Sequence, residues 1–89
     1  MLHNNFPNPF NPSTSIAYSI PINSSVSLKI YSLLGKEIVT LVNEVKTRGE
    51  YSVQWDAKND LGNKVTSGIY LYKLAGRGFS QTKKMILLK

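Results

Sequence analysis

Cysteine is absent from the 89-residue chain. That excludes disulfide bracing and thiolate metal ligation, yet leaves the compartment open, because exported domains can fold without disulfides. Histidine occurs once, at His3, in a proline-rich leading segment. A Ser-His-Asp arrangement needs its base held rigidly against a nucleophile, and a loose leading arm is not expected to hold one. Acidic residues are scarce, 5 Asp+Glu against 11 Lys+Arg, and none follows Asp60. Glu37, Glu44 and Glu50 are dispersed, so no carboxylate pair suited to hydrolysis is expected. Asp56, Asn59 and Asp60 share a loop, but their spacing lacks the alternation of a dedicated calcium loop, and an Asx-stabilised turn is the better reading. Apolar runs are too short to span a bilayer. No glycine opens a helix that could cradle phosphate. Catalysis, cofactor and metal are therefore not expected, and binding remains.

The formal net charge of +6 raises nucleic acid and other polyanions as partners. The basic residues are spread through strands and loops without interleaved exposed aromatics, which describes solvated surface and no nucleic-acid groove. With 42% hydrophobic and 18% charged residues the composition is that of a folded domain, not a disordered segment. A single domain of this size buries only about 60–65% of its unfolded surface, so no deep cleft is expected.

Residues 1–13 read as a proline-rich lead-in arm and 14–89 as a β-sandwich. Pro7, Pro9 and Pro12 fix φ and push the residues before them into extended conformations. Asn8 and Asn11 are expected to make local, turn-like backbone bonds, and Phe6 and Phe10 to pin the arm to the body. Such an arm either covers a sheet edge or forms a recognition element. Met1-Leu2-His3-Asn4-Asn5 has neither a basic region nor an apolar stretch of the secretory kind; if the domain is exported, its signal is expected elsewhere on a longer chain, and Met1 then reads as a start added to a C-terminal fragment.

Ser15–Ile20 and Ser25–Tyr31 alternate apolar and polar residues, as half-buried antiparallel strands do. Lys36–Val42 is a third strand, in which Ile38, Val39 and Leu41 do not share a face, so a bulge is expected. Tyr51-Ser52-Val53-Gln54-Trp55-Asp56 alternates strictly, with Trp55 as the core's largest anchor. Lys64-Val65-Thr66 suggests a short strand. Gly68–Ala75 and Phe79–Lys89 form a terminal hairpin around Gly76-Arg77-Gly78. Turn signals separate about seven strands with no helical period, which predicts an all-β, immunoglobulin-like antiparallel sandwich. An open sheet edge would permit a weak homodimer. In the last strand Lys83, Met85, Leu87 and Lys89 alternate with Lys84, Ile86 and Leu88. Its lysines either guard an edge against aggregation or give register and sign to a receptor that adds a strand.

Asn5-Phe6-Pro7-Asn8-Pro9-Phe10-Asn11-Pro12, Tyr31-Ser32-Leu33-Leu34-Gly35-Lys36-Glu37-Ile38, Gly49-Glu50-Tyr51-Ser52-Val53-Gln54-Trp55-Asp56, Ser67-Gly68-Ile69-Tyr70 and Lys84-Met85-Ile86-Leu87-Leu88-Lys89 together resemble the type A C-terminal sorting domain of the type IX secretion system. Any one of these motifs is weak; their order over the whole chain is specific. The resemblance implies a small sandwich at the end of a secreted protein of Bacteroidetes-like bacteria. Its N-terminal cargo reaches the periplasm by a signal peptide, and outer-membrane translocon components then export it to the surface or medium. A sortase-like peptidase usually removes the domain and can join the cargo to an anionic lipopolysaccharide. Carried over by position, Gly68, Tyr70, Lys83, Lys84, Met85 and Lys89 match motifs linked to recognition, and Pro7, Asn8, Pro9 and Phe10 match the entrance motif. Phe6 stands where the family often has tyrosine. Immunoglobulin-like domains of flagellar hook-capping proteins have related patterns, so a structural spacer or adhesion module is the second reading.

Overall fold

The computed structural model describes residues Met1–Leu88. The alternating segments become six strands: β1 Thr14–Ile20, β2 Ser24–Ser32, β3 Glu37–Lys46, β4 Gly49–Trp55, β5 Gly68–Gly76 and β6 Phe79–Leu87. Every pairing between them is antiparallel. One sheet has the order β3-β2-β5-β6 and the other is the pair β1-β4. This is a sandwich-like all-β fold, with no helix among the described residues.

Period-two alternation decides which side chains enter the space between the sheets. Ile16, Tyr18 and Ile20 of β1 and Val26, Leu28 and Ile30 of β2 are all buried and belong to one hydrophobic core. The irregular third strand is reconciled with this rule by skipped residues. Leu28 faces Val42 while Lys29 faces Thr40, so Leu41 is passed over; Ile30 faces Val39 while Tyr31 faces Glu37, so Ile38 is passed over. Val39 and Val42, three apart, can then both point inward and are buried. Trp55 is 1% exposed. Its ring lies 5.7 Å from Phe10 and packs edge-on to Tyr70 at 5.4 Å, and its Nε1–H donates to the Lys58 carbonyl at 2.9 Å.

The short strand expected at residues 64–66 is reduced to one bridge between Lys58 and Lys64. Ala57 at φ 64° turns the chain back on itself, and Val65 N–H bonds the Ala57 carbonyl at 2.9 Å, so this segment pairs with its own loop. The Asx turn is present: Asn59 Oδ1 accepts from the amides of Leu61 and Asn63, both at 3.0 Å.

The leading arm is not loose. His3 N–H donates to Ala17 O at 3.0 Å, Ser19 N–H to Met1 O at 2.8 Å, and Phe6 and Ser15 exchange two bonds at 2.9 Å, so the arm runs along the free edge of β1. Leu2 is buried, and Tyr72 Oη donates to His3 O at 2.9 Å and accepts from Asn5 N–H at 3.0 Å. Two expectations for the arm fail. Phe6 is 80% exposed, because its backbone pairing with Ser15 leaves the ring outside, so of the two phenylalanines only Phe10, 1% exposed, pins the arm. Asn8 makes no local turn; its carboxamide oxygen accepts from Ile86 N–H at 3.0 Å.

Replacing Tyr72 with Phe strands two polar groups of the arm. We expect Tyr72→Phe to cost about 1–3 kcal/mol in denaturant unfolding and to speed amide exchange at Asn5. Burial pushes the Tyr72 phenol above its ordinary value of 10.0, with the Asn5 N–H opposing. The folded state therefore holds this proton more tightly than the unfolded one, and the associated stability is intact below about pH 10 and lost as pH rises towards the folded value. The gap in melting temperature between wild type and Tyr72→Phe should narrow above that pH.

Candidate recognition surface

The last strand of the fold lies at the edge of the four-stranded sheet, with β5 on one side and no named strand on the other. Its sequence, Phe-Ser-Gln-Thr-Lys-Lys-Met-Ile-Leu, divides by alternation. Met85 and Leu87 are buried, whereas Lys84 and Ile86 are exposed and Lys83 is half-buried. Ile86 faces Ile69 across the β5–β6 ladder and Lys84 faces Leu71, so the outer surface of the hairpin alternates apolar and basic groups.

The sequence-derived candidates separate by what their side chains can reach. Tyr70 is buried against Trp55, and its hydroxyl donates to the Thr66 carbonyl at 2.5 Å. Met85 is 0% exposed. Gly68 adopts φ +148°, where a side chain is strained, although an added Cβ would meet nothing within 4 Å. Backbone conformation, not space, requires glycine there. Lys83 and Lys84 are reachable from solvent, and neither takes part in the three ion pairs among the described residues. Lys89 lies outside the described residues.

The entrance motif is brought to the same place. Phe10 pairs in parallel with Leu87: its N–H donates to Ile86 O at 3.0 Å, and its carbonyl accepts from Leu88 N–H at 2.9 Å. Asn8 supplies the next acceptor through its side chain, to Ile86 N–H. Pro7 and Pro9 on either side of it have no N–H to offer. Asn8, Ile69, Lys84, Met85 and Ile86 line a shallow groove of about 220 Å³. Sequence reading missed this contact between residues far apart in the chain. Its only signal is an asparagine between two prolines, which can accept through its side chain where backbone donors are missing.

Among the described residues no three His, Cys, Asp or Glu side chains are grouped to hold a metal. Among the same residues no helix is long and apolar enough to cross a membrane. The surface offers backbone edge, lysines and isoleucines, which suit binding by another polypeptide.

Residues 4–88 match the family model of the secretion system C-terminal sorting domain. The chain belongs to this family: it is a Por secretion system C-terminal sorting domain, a sorting signal for secretion and not an enzyme. Among solved structures it is similar to dimeric latent PorU from Porphyromonas gingivalis, with 23% identity over 98% of this chain and 9% of that chain, at a TM-score of 0.76. It is also similar to PorZ, a bacterial surface component of the type-IX secretion system of P. gingivalis, with 21% identity over 99% of this chain and 11% of that one, at 0.65. FlgD from P. aeruginosa shares 22% identity over 83% of this chain and 57% of that chain, at 0.65. At these identities the likeness shows the fold. The chain spans about a tenth of the PorU and PorZ structures. No curated protein matches.

Burial separates the roles of adjacent residues. Met85→Ala should lower unfolding free energy by about 2–5 kcal/mol through the cavity it leaves. Lys84→Ala should stay within about 0.5 kcal/mol of wild type in the same denaturant series.

Proposed function

We propose that the chain is a type A sorting domain that sends an N-terminally attached cargo through the outer-membrane translocon of the type IX system. A sortase-like peptidase then removes it at or before the start of the arm, so that the cargo reaches the cell surface or medium. The family match together with the ordered motifs Pro-Asn-Pro-Phe, Ser-Gly-Ile-Tyr and Lys-Met-x-x-x-Lys supports this reading. The observation that carries it is the position of β6 at a sheet edge, with Lys84 and Ile86 outward. In this reading the translocon meets Lys83, Lys84 and Lys89. Gly68, Tyr70 and Met85 set the conformation of the hairpin, and Pro7, Asn8, Pro9 and Phe10 hold the arm against it. The domain works as a folded, passive address.

Fusing residues 1–89 to a periplasmic reporter in a type IX-competent host tests the reading. The reporter should reach the surface or medium, and should stay in the periplasm when the translocon is deleted. Retention in the competent host, with the domain folded, would overturn it. The likeness to FlgD favours a second reading as a structural spacer. A spacer would remain on its mature parent and leave reporter location independent of the translocon.

A further inference from the structure

The edge of β6 is closed at one end and open at the other. In an antiparallel ladder, alternate residues turn both backbone groups towards the neighbour and the residues between turn them away. Ile86 N–H and C=O are bonded to the arm, so Ile86 is a residue that turns away from β5. The β5–β6 register runs without a shift from Gly68↔Leu87 to Gly76↔Phe79, so Lys84, Thr82 and Ser80 turn away from β5 as well. All three are exposed. A parallel ladder begun at Phe10 would next bond the residue-8 amide to the Lys84 carbonyl. It stops at Asn8, which joins the edge by its side chain.

We propose, resting on the sorting reading above, that the open stretch Ser80–Lys84 takes up an extended segment of the partner as an added strand, and that this segment carries acidic side chains. The arm acts as the stop that fixes where the added strand can begin. Charge selects the occupant. The β5–β6 hairpin carries Lys73, Arg77, Lys83 and Lys84 and no acidic residue. The three ion pairs among the described residues all lie before Asp60. A second copy fits poorly, because two-fold pairing of β6 with itself sets Lys83 and Lys84 of both copies within one short ladder, where like charges repel. An acidic strand gains where a second copy loses.

A proline at position 82 removes an outward donor that no group among the described residues is bonded to, and edge strands tolerate such prolines. In the reporter fusion, we expect Thr82→Pro to cut export about tenfold or more, while Thr82→Ala exports normally and the purified Thr82→Pro domain melts near wild type. The pair Lys83→Glu/Lys84→Glu should also cut export, and Lys83→Arg/Lys84→Arg should preserve it. If wild type is exported and Thr82→Pro is exported equally, strand addition is overturned while the sorting reading stands. If wild type itself stays in the periplasm, the sorting reading falls first. Should Thr82→Pro fail to fold, the charge reversal decides: undiminished export overturns the acidic partner. A domain that sediments as a dimer at micromolar concentration, and loses that dimer in Thr82→Pro, would identify a second copy as the occupant and overturn the proposal.

Discussion

The structure depends on where one phenylalanine is held. Phe10 sits between the sheets against Trp55, and its backbone extends the β6 edge by bonds to Ile86 and Leu88. A few residues earlier the same segment is bonded to the edge of β1. One stiff arm thus ties the two sheets along one side. In a fold of this size that matters, since the two-stranded sheet β1-β4 alone would be marginal in water. The tie comes from ladder bonds and one large buried ring, and the prolines lower the entropy lost when the arm docks.

Inward and outward residues of the last hairpin do different things. Tyr70, Met85 and Leu87 hold β5 and β6 on the core, while Lys84, Ile69 and Ile86 face solvent. Motif residues adjacent in sequence are therefore not equivalent. A receptor can touch Lys84 directly, but feels Met85 only through the strand that Met85 anchors. In the proposed sorting reading, the outward residues would form the address and the inward ones would hold it in place.

Much of the fold was legible in the sequence. Period-two alternation located β1, β2, β4 and the final hairpin, and the broken pattern at Ile38-Val39-Thr40-Leu41 marked the bulged strand. Local chemistry also gave the Asx turn at Asn59. That the arm covers a sheet edge was legible from its prolines, but its individual partners were not, because its bonds are long-range. Nothing near Asn8 in the chain reveals that its partner is Ile86, and the two phenylalanines look alike until the register of Phe6 with Ser15 turns one ring outward. The candidate surface was legible as a stretch, not as a geometry: the lysines could be named, but which backbone groups were already taken could not.

The most direct measurement is residue-resolved hydrogen exchange along β6, in wild type and in Phe10→Ala. With the arm in place, the amides of Ile86 and Leu88 should be protected and that of Lys84 should exchange rapidly; Phe10→Ala should release Ile86 and Leu88 while Met85 and Leu87, bonded to β5, stay slow. Protection of Ile86 and Leu88 that is indifferent to Phe10, or a Lys84 amide as slow as theirs in the isolated domain, would contradict the account.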